Sequence, residues 1–239
     1  MAGLDRTGID MSAYVQPYQL YSFNQKLAPR KEWLSMTTIS PNTATAALKK
    51  LFDRQMAEAV ELSGDEAGIK ALFSLLEKIG KVTEGEGKTP FVIVVQNPNL
   101  TLSKRMAKVV LNGKTGVNYL NDNRITNLDD LPQGHYLAVD VEDGRAILNT
   151  KPSICLEQFR LGKRFGGTAV EGITVVTYEV HILAHHHIDL PGSRDISGVV
   201  PFLCVVGNNK WAGLSARWGV TAFPNYGSLS CGSRLGLGT

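Results

Sequence analysis

A cysteine three residues before an arginine is the feature of this sequence with the clearest potential for chemistry. Cys231 stands in the run Gly-Ser-Leu-Ser-Cys-Gly-Ser-Arg at 227–234. Nearby cations and free backbone N–H groups lower the pKa of a thiol and so favour the nucleophilic thiolate. A nucleophilic Cys231 also needs a base, and by residue type His181 or His185 is the candidate. We prefer the simpler interpretation, in which Cys231 is a small residue packed in a tight loop.

Arginines next to Gly and Ser offer a second kind of chemistry, the binding of anions. Arg194 ends the run Gly-Ser-Arg, Arg234 ends the run that contains the cysteine, and Arg217 stands at the end of a predicted strand. If these segments converge, the guanidinium groups would bind a carboxylate or phosphate, with help from the hydroxyl and backbone donors of the neighbouring serines. The candidate anion-binding residues are therefore Arg194, Arg234, Ser193 and Ser230.

We further predict that the Gly/Ser-rich tail folds back and places Arg234 and Cys231 against the 192–194 loop. Small residues permit close approach of two backbones and turns with positive φ. Two arginines brought together repel each other unless an anion, a carboxylate or a partner lies between them. Asp189 and Asp195 flank the first loop, so pairing with these two carboxylates is the alternative to a binding pocket.

Three consecutive histidines at 185–187 suggest metal binding. Alternate side chains of an extended segment point the same way, so His185, His187 and Asp189 would be the ligands of one metal ion. A structural zinc site needs four ligands, however, and no cysteine lies nearby in the sequence. We expect instead that the histidines follow the end of a helix, where they interact with its partial negative charge, and that the native chain binds no stoichiometric metal.

The charge balance argues against a nucleic-acid-binding protein. The 239-residue chain has a net charge of +3, and its basic surplus is scattered apart from a short cluster of Arg160, Lys163 and Arg164. Nucleic-acid-binding domains carry a denser basic stripe. We therefore expect no nucleic acid partner, and the 43% apolar composition predicts a globular fold with a sizeable core.

Cysteine usage and the lack of apolar runs bear on location. Three widely spaced cysteines, Cys155, Cys204 and Cys231, predict a reducing compartment rather than a disulfide framework. The N-terminus lacks an apolar run, and no stretch of about 18 apolar residues would span a membrane. These features favour a cytoplasmic protein of bacterial type that does not associate with a membrane.

Glycine motifs that bind phosphates or dinucleotides are missing from the sequence. No Gly-x-Gly-x-x-Gly run occurs. The Gly-Lys-Thr at 113–115 does not complete a phosphate-binding loop, because Lys108 stands where that loop requires a glycine. No cofactor is expected.

The sequence divides into three segments that together suggest one domain. Residues 1–40 form an irregular, aromatic N-terminal arm, which could join identical chains into a homo-oligomer. Residues 41–82 show two amphipathic helical patterns and predict a helical hairpin, and residues 90–239 form a mixed α+β body. The predicted fold class is α+β, with the N-terminal helical hairpin packed on a mainly antiparallel sheet and one or two further helices.

Local signals predict individual elements of the body. Apolar runs at 91–95 and 136–141 predict buried strands, and Asp143-Gly144 predicts a hairpin turn into a return strand at 146–148. Farther along, Thr168 followed by Glu171 forms a capping box, which predicts the start of a helix.

Two further patterns complete the body. The runs 199–206 and 211–218 predict two strands joined as a second hairpin. The tail from 225 to 238 is rich in Gly and Ser and is predicted as loop.

Several short motifs in the C-terminal half form a recognisable series. They are Val139-Asp-Val-Glu-Asp-Gly144, Asn149, Pro152, Thr168-Ala-Val-Glu-Gly-Ile173, Gly192-Ser193-Arg194, Trp218, Pro224 and the run at 227–234. On these motifs, residues 90–236 resemble an uncharacterised bacterial family, a domain of unknown function. The resemblance supports the domain boundaries and implies no activity.

Three functional hypotheses remain from the sequence, and they leave open whether the protein is an enzyme. The leading one is a non-catalytic binding or assembly protein, since no reaction-specific motif occurs. The first alternative is an enzyme that acts on a small anionic substrate with Cys231 and either Arg194 or Arg234. The second is a metal-binding protein at His185–His187. A buried, inert Cys231 would favour the first hypothesis, whereas a reactive thiol in a cleft would favour an enzyme.

Overall fold

The described part of the chain folds as an α+β protein, which confirms the predicted class. The computed structural model describes residues 41–79, 85–207 and 210–238. The residues described belong to one compact unit. The arm predicted at 1–40, and with it the proposed homo-oligomer contact, lies outside the described residues.

Five α-helices, four short 3₁₀ helices and fourteen strands occur in the described residues. The α-helices are α1 (Pro41–Ser63), α2 (Glu66–Ala71), α3 (Leu102–Met106), α4 (Pro152–Leu161) and α5 (Ala169–Tyr178), and the 3₁₀ helices are Leu72–Lys78, Asp122–Arg124, Arg145–Ile147 and Val180–Ala184. The strands are β1 (Lys88–Val94), β2 (Val110–Leu111), β3 (Lys114–Thr115), β4 (Val117–Asn118), β5 (Ile125–Asn127), β6 (Tyr136–Glu142), β7 (Phe165–Gly166), β8 (His187–Asp189), β9 (Ser193–Asp195), β10 (Val200–Val206), β11 (Trp211–Arg217), β12 (Tyr226–Ser228), β13 (Ser230–Cys231) and β14 (Ser233–Gly236).

The N-terminal helices cover one face of the first sheet. Phe52 of α1 and Leu72 of the following 3₁₀ helix are buried against Phe91 and Val139, which are opposite partners on β1 and β6. Asp65 caps α2 by accepting the Gly68 N–H at 2.8 Å. The Ser63 hydroxyl accepts the Asp65 N–H at 3.0 Å, which holds Asp65 in its capping position.

The first sheet is antiparallel and has the order β1-β6-β13-β7, with β14 also paired to β6. Its second face packs on α5, where Val92, Ala138 and Ile173 are all buried. The capping box at Thr168 and Glu171 begins α5 as predicted. The β-branched residues of α5 therefore lie in a helix, since packing overrides their preference for strands.

The second sheet has the order β12-β8-β10-β11-β4. The predicted hairpin is confirmed as the antiparallel pair β10 and β11. The parallel strands β12 and β4 extend the sheet at either side. Leu203 and Leu214 on its inner face join the same core as α5.

The chain after Asp143-Gly144 does not form the predicted return strand. Gly144 has φ 93°, and residues 145–147 form a 3₁₀ turn. A Cβ on Gly144 would lie 2.5 Å from the Gly227 carbonyl carbon. This close approach shows that the turn packs on β12, and β6 pairs with β1, β13 and β14 instead of with a return strand.

The tail is the second place where the sequence prediction is wrong. Residues predicted as loop form the strands β12, β13 and β14. Their Gly and Ser residues have low strand propensity, but they pair with β8 and β6.

None of the helices in the described residues has the length and apolar character that a membrane span requires.

Candidate functional site

Two glycines at 166–167 connect the two Gly/Ser-rich segments. On one side Ser230 pairs with Gly166, and the Gly167 N–H donates to the Leu229 carbonyl at 2.8 Å. On the other side the Gly192 N–H donates to the Gly167 carbonyl at 2.9 Å. The segments at 192–194 and 227–234 thus lie in the same region, with this glycine pair between them.

Arg234 makes a bidentate ion pair with Glu171. Its Nε donates to Oε1 at 2.7 Å and its Nη2 to Oε2 at 3.0 Å, while Nη2 also reaches the Gly166 carbonyl. The guanidinium stacks on the Phe165 ring at 4.8 Å. Burial opposes the charge of Arg234, but the hydrogen bonds and charge of Glu171 outweigh it and raise the pKa of the guanidinium. The predicted pairing through Asp189 or Asp195 is therefore replaced by Glu171.

Glu171 holds several elements together through one carboxylate. Its Oε2 accepts the Thr168 N–H at 2.8 Å in the capping box, and its Oε1 accepts the Tyr136 hydroxyl at 2.9 Å. Burial, together with the charge of Glu171, raises the pKa of Tyr136. We infer that Glu171, Arg234 and Tyr136 form a buried polar network that fastens the tail to α5 and β6.

Cys231 is enclosed beside this network. Its exposed fraction is 2%. Burial raises the pKa of the Cys231 thiol, and the charge of Glu171 adds to this, while Arg234 and Arg164 oppose it only in part. Such a thiol is protonated at neutral pH, which is the opposite of an activated nucleophile. Neither candidate base hydrogen-bonds to it within the described residues, since His181 pairs with Glu179 and His185 is exposed.

The two candidate serines are turned inward. The Ser193 hydroxyl accepts the Ala169 N–H at 2.9 Å and donates to Asn127 Oδ1 at 2.8 Å. The Ser230 hydroxyl accepts the Arg164 Nε–H at 3.1 Å. Both serines are buried, so their hydroxyls stabilise the fold where they stand.

A left-handed residue inside β6, Asp140, is a feature that sequence reasoning missed. Asp140 has φ 53°. Its carboxylate accepts a hydrogen bond from Arg164 Nη1 at 2.5 Å, and its carbonyl accepts one from Nη2 at 2.7 Å. A positive φ is uncommon outside glycine, although aspartate tolerates it better than most residues. The sequence signal for this left-handed residue is the single aspartate within the apolar run 136–141.

Asp189 and Arg217 form a second buried pair. Arg217 Nε donates to Oδ1 at 2.8 Å and Nη2 to Oδ2 at 2.5 Å, and the guanidinium stacks on Phe223 and Tyr226. Burial raises the pKa of Asp189 to about 6, although the Arg217 hydrogen bonds oppose this. Both carboxylate oxygens of Asp189 are thus occupied by Arg217.

The three consecutive histidines have three different environments. His185 is exposed, His186 Nε2 lies 2.8 Å from the Asp143 carbonyl oxygen, and the His187 ring packs on Tyr226. Burial, followed by the charges of His186 and Arg217, lowers the pKa of His187 to about 4. Across residues 41–79, 85–207 and 210–238, no group of three or more His, Cys, Asp or Glu side chains is placed to hold a metal ion.

Arg194 differs from the other candidate arginines. Its Nη1 donates to the carbonyls of Pro191 at 2.8 Å and Ser193 at 2.7 Å. Within the described residues it pairs with no carboxylate, and Asp195 is bound by Arg124 instead. Burial and then the charge of Arg160 lower the pKa of Arg194.

A second cation, Arg160, lies near Arg194. The Gly166 position contacts both Leu156 of α4 and the Pro191–Gly192 segment. Leu156 and Arg160 are one helical turn apart on α4, and the charge of Arg160 is close enough to contribute to the lowered pKa of Arg194. No carboxylate pairs with Arg160 in the described part of the chain. Two arginines from distant segments thus stand near each other, and the described residues offer neither of them an acidic partner.

Exposed apolar side chains accompany these cations. Leu161, the residue after Arg160, is 87% exposed, and Ile196, two residues after Arg194, is 69% exposed. We call Arg160, Leu161, Arg194 and Ile196 the basic face. Its Arg160 belongs to the cluster that carries the local basic surplus, whereas its proximity to Arg194 is a tertiary feature that no sequence signal indicated.

Arg105 is a buried cation that the sequence analysis did not single out. It sits on the apolar side of α3, three residues after Leu102, and donates Nη2 to the Val95 carbonyl at 2.8 Å. Burial lowers its pKa to about 10. The adjoining cavity between α3 and α5 has room for about one water molecule, so we assign Arg105 to the fold and not to a ligand site.

The chain is similar to a known protein family over most of its length. Residues 50–213, more than half of the chain, match a family whose description is a family of unknown function (DUF5701). No curated protein and no solved structure is significantly similar to the chain.

Proposed function

The chain belongs to this family of unknown function, and we propose that it is a non-catalytic binding protein whose basic face docks an acidic partner. The observation that carries the proposal is the pair Arg160 and Arg194. Two cations held near each other without a carboxylate repel each other, and an anionic partner would remove that repulsion. Arginines beside exposed apolar side chains are typical of protein interfaces.

The surroundings of Cys231 support binding over catalysis. Its thiol is buried and its pKa is raised. The nearby guanidinium of Arg234 is occupied by Glu171. The enzyme hypothesis, with Cys231 acting on a small anion bound by Arg234, therefore lacks both an activated nucleophile and an unoccupied cation at that position.

The geometry around Arg194 favours an acidic protein surface over a small free anion. A phosphate pocket uses converging backbone N–H groups. Here the Gly192 N–H donates to the Gly167 carbonyl and the Ser193 N–H to the Leu190 carbonyl. The Ser193 hydroxyl is also occupied. The guanidinium groups are thus the donors that the basic face offers, and carboxylate side chains match them.

Binding of poly-L-glutamate to the full chain tests the proposal. We expect binding that weakens as salt is added and that is lost in the double variant Arg160→Gln, Arg194→Gln. The matched control is Lys50→Gln, Lys78→Gln, which removes the same charge from two exposed lysines elsewhere. Equal loss in both variants would show that only net charge matters, and unchanged binding in the first variant would disprove the proposal.

A further inference from the structure

The side chain of His135 extends the hydrogen bonding of the first sheet beyond the end of its ladder. Val94 and Tyr136 are the last paired residues of β1 and β6, and His135 directly precedes Tyr136. Past this pair, the Gln96 N–H donates to His135 Nδ1 at 3.1 Å. The imidazole therefore accepts a backbone N–H at the point where pairing between the two strands stops.

The direction of this hydrogen bond fixes the position of the proton on the ring. A backbone N–H is always a donor, so Nδ1 carries no proton and accepts through its lone pair. The neutral imidazole then has its proton on Nε2, which lies 3.5 Å from Asp65 Oδ2. The other oxygen of that carboxylate caps α2 through the Gly68 N–H. Neutral His135 thus lies between the end of β1 and the start of α2.

Protonation of His135 affects its two contacts in opposite ways. A proton on Nδ1 makes both ring nitrogens donors, and Nδ1 then faces another donor, the Gln96 N–H. The positively charged ring is at the same time attracted more strongly to the Asp65 carboxylate. The imidazolium is therefore incompatible with the Gln96 hydrogen bond, whereas its contact with Asp65 improves.

The ring lies where water can reach it. Its side chain is 11% exposed, and it borders a cleft of about 340 Å³ that Asp65, Gln133 and Leu237 also line. The cleft gives the ring room to move toward Asp65. His135 can therefore gain a proton without any opening of the core.

Two charged groups of the described residues act on the ring, Asp65 at the start of α2 and Arg105 on α3. Burial lowers the pKa of His135 from its ordinary value of 6.5, and the charge of Arg105 adds to this, whereas Asp65 raises the pKa through its charge and hydrogen bond. The pKa in the folded state is thus below that of a solvated histidine. The Gln96 hydrogen bond is consequently fully stabilising above pH 6.5 and is lost as pH falls through the folded pKa.

The segment that follows Gln96 is a short turn. The Leu100 N–H donates to the Asn97 carbonyl at 3.0 Å, and Asn97 Nδ2 contacts the Ser63 carbonyl at 3.4 Å. The turn leads to Thr101, whose hydroxyl caps α3. Loss of the Gln96 hydrogen bond therefore loosens the connection between β1 and α3.

We propose that His135 is a pH-sensitive latch, which holds the turn at 96–100 to the first sheet when its ring is neutral and releases the turn when its ring is protonated. The latch is built from a backbone donor that only the neutral ring accepts and a carboxylate that favours the charged ring. It is independent of the docking proposal, since none of its residues belongs to the basic face.

Nuclear magnetic resonance of the isotope-labelled full chain tests the first requirement of the latch. Long-range correlation spectra of the imidazole at pH 8 should show an unprotonated Nδ1 and a protonated Nε2 on His135. A protonated Nδ1 at pH 8 would overturn the proposal, because the Gln96 N–H would then have no acceptor on the ring.

Hydrogen exchange of the Gln96 amide measures the release. Its protection, relative to the intrinsic exchange rate at each pH, should fall by about tenfold between pH 8 and pH 5, since one backbone hydrogen bond becomes unsatisfied. The Ile93 amide donates to Gln55 Oε1 at 2.8 Å and should keep its protection, because the release is local. Constant protection of Gln96, or equal loss at both amides, would contradict the latch.

His135→Asn separates the latch from every other titration. Asparagine carries an oxygen where histidine carries Nδ1, so it accepts the Gln96 N–H but does not titrate. Gln96 should therefore stay protected down to pH 5 in this variant. The matched control, His181→Asn at an exposed histidine, should keep the pH dependence of the parent. If protection at Gln96 still falls in His135→Asn as it does in the parent, the proposal is wrong.

Asp65→Asn gives a second test that leaves His135 in place. Asparagine caps a helix about as well as aspartate, so α2 is retained while the negative charge beside the ring is removed. Because that charge favours the imidazolium, the midpoint of the release should move to lower pH in this variant. A midpoint that does not move, or that moves to higher pH, would overturn the assignment of His135 as the titrating group.

Discussion

Arg234 and Arg194 end similar Gly/Ser-rich runs, yet the fold uses them in opposite ways. Arg234 is buried and clamped by Glu171. Arg194 is half-buried, is held only by carbonyl groups among the described residues, and lies near another arginine. A short motif therefore does not decide the role of a cation. The decisive factor is whether a carboxylate from a distant element lies within reach.

The largest expected effect tests the structural half of this comparison. Glu171→Gln leaves Arg234 buried without a counter-charge, so we expect it to lower the free energy of unfolding by about 3–5 kcal/mol. Urea denaturation measures the change. Leu72→Ala, at a buried apolar position of the helical hairpin, should cost about 2–5 kcal/mol and calibrates the scale. A Glu171 variant as stable as the parent would show that the pair contributes little.

The buried pair of Asp189 and Arg217 makes the stability of the protein depend on pH. The pKa of Asp189 is raised to about 6 from 3.8, so the folded state binds a proton more readily than the unfolded state. The contribution of Asp189 to stability therefore grows as pH falls from about 6 to 4, by about 3 kcal/mol, and is lost as pH rises through 6.

Asp189→Asn removes this titration. The difference in unfolding free energy between the parent and Asp189→Asn should change between pH 4 and 7 and be flat below pH 4, as measured by urea denaturation across this range. An Asp195→Asn variant is the control with the opposite sign, because the Arg124 hydrogen bond lowers the pKa of Asp195. A pH-independent difference for Asp189 would refute the assignment.

The smallest expected effect concerns Arg194. Because Arg194 has no carboxylate partner in the described structure and loses only its hydrogen bonds to two carbonyl groups, Arg194→Gln should lower the free energy of unfolding by about 1–2 kcal/mol. Thermal unfolding of Arg194→Gln beside Arg234→Gln gives the direct contrast. A large loss of stability in Arg194→Gln would place Arg194 with the structural arginines and remove the basis of the docking proposal.

Elements of the fold with local signals were predictable from the sequence. The capping box at Thr168 and Glu171 needs residues only three positions apart. The hairpin of β10 and β11 needs two apolar runs and a short polar turn. The helix α1 is likewise indicated by an amphipathic pattern among residues three and four positions apart. In each case neighbouring residues supply the interactions, so the sequence contains the whole signal.

The candidate site was predictable only in its residue types. The residue types point to Arg194, Arg234 and Cys231, and the tail lies in the same region as the 192–194 loop. The sequence could not indicate that Glu171 would serve both as a helix cap and as the partner of Arg234. It also could not indicate that Arg160 would stand near Arg194, because 33 positions of chain separate them and their proximity depends on packing around Gly166.

The sequence by itself therefore determined the α+β class, the helical hairpin and the main strands, through periodicity and capping that act over a few residues. Tertiary structure alone decided the strands of the tail, the turn at Gly144 and the partner that each arginine binds. The physical reason is that backbone pairing and ion pairing satisfy donors and charges with whichever partner the fold brings near. For Arg234 that partner is a buried carboxylate, and for Arg194 it is, on our proposal, another molecule.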